Sequence, residues 1–131
     1  MSTFNAIGVA GTGVTVSRKW LDAVSDNISN IDNVTRTSEN AFQARYVVAQ
    51  EAQDGNGVQV AGIAYGSAEG QLSYEPDNPL ADTEGYVRRP DIDLGGQMAQ
   101  MMMAQRSYQA NLAVVDRARE SYQAAINLGK G

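Results

Sequence analysis

The sequence predicts an α+β chain, with a long helix at each end and a small antiparallel β domain of hairpins between them. Two seven-residue apolar repeats, one near each terminus, predict the helices. A middle segment that alternates with period two between turn signals predicts the hairpins. On this reading residues 1–35 and 91–131 form one discontinuous helical domain, and residues 36–90 form the β domain.

The first helix carries two interleaved tracks. One is Ile7, Val14, Leu21 and Ile28; the other is Ala10, Ser17, Val24 and Ile31, in which only Ser17 is out of character. Phe4 and Trp20 flank this seam and widen it. Gly8, Gly11 and Gly13 each cost about 1 kcal/mol of helix propensity relative to Ala, so the first two turns should be either frayed or packed closely against something that rewards small residues.

The last helix is cleaner. Leu94, Met101, Tyr108, Val115 and Tyr122 form one track, and Met98, Gln105, Leu112, Arg119 and Ile126 form the other. Asp91 and Asp93 stand where a helix amino terminus favours negative charge, and "NLGKG" supplies a glycine stop. A helix of about 36 residues would be about 54 Å long. Both seams have the 3.5-residue spacing that supercoils against a partner helix.

Between them, "AFQARYVVAQEA", "NGVQVAGIAYG", "GQLSYEP" and "GYVRRPDI" read as four strands, separated by "DGNG", "YGSAEG" and "EPDNPLADTEG". So short a segment buries only about 60% of its unfolded surface and has to lean on helices or neighbouring subunits. Met102, Met103, Ala110, Val114 and Ala118, which lie off the seam, ask for a second contact surface.

Composition excludes several classes of function. A net charge of −5 with scattered Lys and Arg offers no footprint for nucleic acid. Without Cys there is no thiolate chemistry or soft-metal site, and without His the commonest neutral-pH base and transition-metal ligand are missing. No apolar run is long enough to span a bilayer, and the amino terminus does not have the form of a cleavable signal peptide. No catalytic residue, metal ligand or cofactor site is expected.

The stretch "VSDNISNIDNVT", Val24 to Thr35, admits three readings. As a calcium loop it fails, because Ile31 stands where a glycine is needed and Thr37 where a carboxylate is needed. As a glycan acceptor it has two matching tripeptides, but the first lies in the apolar seam. The third reading is structural. Asn27, Asn30 and Asn33 recur every third residue beside Val24, Ile28 and Ile31, and amides on one face can fix helix register through paired hydrogen bonds.

"AVSDNISNIDNVT" together with "MAQMMMAQRSYQANLAVVDRARE" resembles the axial proteins of the bacterial flagellum, the rod, hook and hook-associated family. Asn27, Ile28, Ser29 and Asn30 match the family's amino-terminal motif. Ala104, Gln105, Arg106, Tyr108, Ala110 and Asn111 match its carboxy-terminal one. "SYEPDNPLADTEGYVRRPDIDL" is similar to the proximal-rod branch, through Pro76, Pro79, Ala81, Gly85, Tyr86, Val87, Pro90 and Asp93.

The resemblance implies terminal helices paired as a coiled coil in the inner layer of a helical tube, with the β domain outside. It implies a structural subunit of the rod that transmits torque from motor to hook. The expected partners are further copies, other proximal- and distal-rod proteins, basal-body ring proteins and the flagellar type III export apparatus. The expected place is the basal-body rod within the periplasm, reached from the cytoplasm without a cleavable signal peptide. The two seams, the asparagine face, and Gln105 and Arg106 as inter-subunit hydrogen-bonding groups are the expected assembly residues. A soluble coiled-coil adaptor binding a partner helix is the alternative, and a carboxylate enzyme is the third.

Overall fold

The computed structural model describes residues 3–131, and of Thr3 the backbone alone; Met1 and Ser2 of the expected amino-terminal helical segment lie outside the described residues. In chain order come α1 (Thr3–Ser29), β1 (Arg45–Glu51), β2 (Val58–Tyr65), β3 (Gln71–Tyr74), β4 (Tyr86–Arg89) and α2 (Leu94–Gly129). All four expected strands and both expected helices are present, and the described residues form two helices and two small sheets, β1–β2 and β3–β4.

Helix α1 stops inside the asparagine-rich stretch for a local reason. The Ser29 hydroxyl and the Asn30 amide each donate, at 2.8 Å, to the carbonyl four residues back. Polar side chains of this kind compete with the backbone ladder. The next amides tighten to three-residue spacing, Ile31 to Ile28 and Asn33 to Asn30. Asn33 therefore lies beyond the helix, and the three asparagines do not share one helical face: Asn27 is buried, Asn30 half-buried and Asn33 exposed.

Helix α2 begins at an Asp93 cap, whose carboxylate accepts the Gly96 N–H at 2.9 Å. Asp91 instead accepts from the Gln71 amide at 2.8 Å.

The chain divides into two compact units, each built from pieces of the helices and of the β segment. Of the described residues, the first comprises residues 3–21, Val47–Gly62 and Met102–Gly131; the second comprises Asp22–Tyr46 and Ile63–Met101. In the first, Ala10, Ser17 and Ala104 are buried. The turn of the β1–β2 ribbon docks on α1 there: Thr12 Oγ1 donates to the Val9 carbonyl at 2.6 Å and accepts the Val58 N–H at 3.1 Å. Gly57, with φ at +112°, turns the ribbon where a Cβ would collide with the Thr12 side chain.

In the second unit, Ala23, Val24, Ala41, Ala44 and Val87 form the buried apolar set. Strands β3 and β4 pair antiparallel, from Gln71 opposite Arg89 to Tyr74 opposite Tyr86. Thr35 extends this ladder by an isolated bridge to Arg88, its N–H and carbonyl both bonded at 2.9 Å. The segment leading to β1 is held by Ala41 N–H on the Ala68 carbonyl and Gly66 N–H on the Ala44 carbonyl.

Candidate functional site

Several of the residues that join the helices are small or polar. In the first unit Ser17, only 3% exposed, places its hydroxyl 2.8 Å from that of Ser107. One turn further along α2, Asn111 donates to the Ser107 carbonyl at 2.9 Å and lays its amide over Gly13. A Cβ on Gly13 would stand 2.5 Å from Asn111 Oδ1. Phe4 and Tyr122 meet edge to face, with ring centroids 4.6 Å apart. Beside these contacts runs an open groove of about 580 Å³, lined by Val9, Val16, Trp20, Ala49, Val58 and Val114 among others.

In the second unit, Asn27 is 0% exposed and fully committed. Its Oδ1 accepts the Arg45 N–H at 2.8 Å, and its Nδ2 donates to the Arg45 carbonyl and to Gln97 Oε1, both at 3.0 Å. One side chain thus ties the end of α1, the start of β1 and the first turns of α2. A buried amide is tolerable here because each of its polar atoms is satisfied. Asp26 adds an ion pair to Arg45 at 3.1 Å with both side chains half exposed, a contact of small energetic weight.

The β3–β4 hairpin closes over a second polar cluster. Glu75 accepts from Arg89 Nε at 2.7 Å, from the Asn78 amide at 2.9 Å and from the Ser73 hydroxyl at 3.0 Å. The Arg89 hydrogen bond first, then that of Asn78, pushes its carboxyl down to about 2. Asp82 accepts the Glu84 and Tyr86 amides at 2.9 Å and the Thr37 hydroxyl at 3.1 Å; the Tyr86 amide is the main reason its pKa is lowered. These carboxylates are held ionised, opposite to what a proton donor or acceptor poised near neutrality requires.

Of the expected amino-terminal seam residues, Val24 and Asn27 are buried; Ile7, Val14, Leu21, Ile28 and, beyond the end of α1, Ile31 are half-buried. In α2 the track Met101, Tyr108, Val115 is half-buried and Tyr122 is partly exposed; Ile126 is half-buried. Leu94, Met98, Gln105, Leu112 and Arg119, expected in the seam, are exposed instead, as is Arg106. The place of Met98, Gln105, Leu112 and Arg119 is taken one position earlier in the repeat by Gln97, Ala104, Asn111 and Ala118, the first two buried and the last two half-buried. Small side chains and a hydrogen-bonded amide let backbones approach more closely than Met or Leu would. The "AQRSYQAN" segment meets Gly13 and Ser17, whereas Asn27 takes Gln97 and Arg45.

Among the described residues no group of three or more metal-ligating side chains converges, and no helix is long and apolar enough to cross a membrane. The joints described above are polar and structural. Residues 83–128 match the family described as "Flagellar basal body rod FlgEFG protein C-terminal". The FlgC basal-body rod proteins of Salmonella typhimurium and Escherichia coli O6:H1 are 36% and 37% identical to the chain, each match covering 99% of this chain and 100% of the relative. That of Bacillus subtilis is 27% identical, with the same coverage. The chain belongs to the FlgC family of flagellar basal-body rod proteins, which are structural components and not enzymes.

Proposed function

We propose that this chain is a subunit of the proximal rod, the part of the drive shaft nearest the motor. The observation that carries this reading is its similarity to FlgC rod proteins over the full length of both chains. In this reading the terminal segments, 1–35 and 91–131, pair as a coiled coil within a helical tube, and residues 36–90 form an outer β domain. The tube transmits torque to the hook. Copies of the chain, other proximal- and distal-rod proteins and basal-body ring proteins are its neighbours. The flagellar type III apparatus exports it from the cytoplasm to the periplasmic rod without a cleavable signal peptide.

The exposed apolar side chains support assembly. In the first unit Phe4, Met102, Met103, Val114 and Leu128 are about half exposed or more; in the second, Leu72, Tyr74, Leu94 and Met98 are. Patches of this kind mark surfaces that other proteins cover. Removing residues 94–131 in the parent bacterium is expected to abolish swimming and leave basal bodies truncated at the rod. A tagged full-length chain is expected in purified basal bodies. Normal flagella after the deletion, or a tagged chain absent from basal bodies, would overturn the proposal.

A further inference from the structure

We propose that Gly13, Ser17, Ser107 and Asn111 form a recognition code that sets the two helices of one chain in one register and rejects helices of other rod proteins that lack it. Rejection of other rod proteins' helices rests on the rod reading; the register itself does not.

An apolar heptad cannot fix register alone. Met101, Tyr108 and Val115 recur every seven residues, so a slip of one heptad sets apolar on apolar again. The polar contacts do not repeat in this way. Ser17 meets Ser107 and Gly13 meets Asn111, an antiparallel pairing in which the two residue numbers sum to 124 both times (17 + 107 and 13 + 111). A one-heptad slip would face Ser17 with Gln100 or Val114 and leave its buried hydroxyl without the Ser107 partner. It would also carry the Asn111 amide off the only kind of residue that accommodates it, since any side chain at position 13 enters the amide's own volume. A neighbour's helix with the same apolar rhythm but without this notch and hydroxyl is rejected on the same grounds.

The chain has no cysteine, so an introduced pair reports cleanly. Ser17→Cys/Ser107→Cys is to be oxidised in isolated basal bodies, beside the slipped pair Ser17→Cys/Val114→Cys. Seven residues along a helix is about 10.5 Å, beyond the roughly 7 Å Cα separation that a disulfide tolerates. The first pair is expected to give an intrachain bridge, seen as a fast-migrating monomer, in at least about tenfold higher yield than the second. A band of two linked chains, equal yields from both pairs, or no bridge from either overturns the proposal. If the chain is absent from basal bodies, the rod reading has failed, and the same oxidation of the purified full chain decides the register. As an independent variant, Gly13→Ala is expected to lower the bridging yield and Asn111→Ala to restore it. Gly11→Ala, where a Cβ meets nothing within 4 Å, is expected to leave the yield unchanged. A Gly13→Ala chain that bridges like the parent, or that Asn111→Ala does not restore, removes the notch from the code.

Discussion

Replacing Asn27 tests most directly whether a buried amide holds the second unit together. The side chain is 0% exposed and makes three hydrogen bonds, two to the Arg45 backbone and one to Gln97. Each contributes about 0.5–1.5 kcal/mol net, and each buried partner left unsatisfied costs about 1–3 kcal/mol. Gln97 can turn its amide toward another partner, but the Arg45 N–H and carbonyl are fixed by the start of β1. Asn27→Ala is therefore expected to destabilise the chain by about 3–5 kcal/mol. That is a large share of the roughly 5–15 kcal/mol that holds a domain folded. Urea unfolding followed by circular dichroism measures it.

Asn27→Asp sharpens the test. The new carboxyl keeps an acceptor for the Arg45 N–H but turns a second oxygen on the Arg45 carbonyl and Gln97 Oε1, where a donor stood. Buried and facing oxygens, it has a folded pKa above its unfolded value, because protonation restores the donor. The damage is then greatest at neutral pH and relieved as pH falls through the raised folded pKa. Adding Gln97→Ala to Asn27→Ala should cost less than Gln97→Ala alone, since the two share one hydrogen bond. An Asn27→Ala chain within about 1 kcal/mol of the parent would refute the reasoning.

Two further outcomes follow from the hairpin. Glu75 is held at about 2 against an ordinary 4.5, so its support is present above pH 4.5 and fades as pH falls toward 2. Thermal melts of Glu75→Gln should show a shallower loss of stability in that window than the parent, with Asp82 supplying the remainder; superimposable pH curves would count against it. Gly85 has φ at +88°, and a Cβ there would lie 2.8 Å from Tyr74 Cε2. Gly85→Ala should cost about 1–3 kcal/mol in urea unfolding, whereas Gly62→Ala, with nothing within 4 Å, serves as the control and should not approach that loss.

The elements were legible in the sequence because period and punctuation are local. Strong 2.0 and 3.5 rhythms between glycine and proline signals placed four strands and two helices, and Asp93 marked the start of α2. The identity of the α2 face was not. Met98 and Leu112 outrank Gln97 and Asn111 on any hydropathy scale, so an apolar search picks the track beside the one buried within the chain. The signal that could have found the buried one was there: Gln97, Ala104 and Asn111 repeat with the same seven-residue period, in small or amide side chains, and Asn111 lies over Gly13 of α1. Ser17, the misfit of its track, was the other clue. Its hydroxyl is buried because Ser107 answers it. The Arg45 backbone, two of Asn27's three contacts, leaves no trace in side-chain pattern at all.

That displacement of one residue carries an energetic argument. Contacts built from Ser, Asn, Gln, Gly and Ala bury little hydrocarbon per residue, so within the chain they specify geometry more than they supply driving force. The large apolar groups lie elsewhere: Met102, Met103 and Val114 in one unit, Leu94 and Met98 in the other, each about half exposed. Full burial of such a side chain is worth about 1.5–3 kcal/mol, of which roughly half remains to be gained at each. Four or five of them covered together would yield several kcal/mol, before the entropy of association is subtracted. A chain so arranged sets its own shape with polar contacts and keeps its hydrophobic free energy for neighbours. Removing one methionine, as in Met102→Ala, should therefore leave urea unfolding of the purified chain within about 1 kcal/mol of the parent while weakening its retention in basal bodies. The opposite pattern, a destabilised chain that still assembles fully, would place Met102 in the chain's own core.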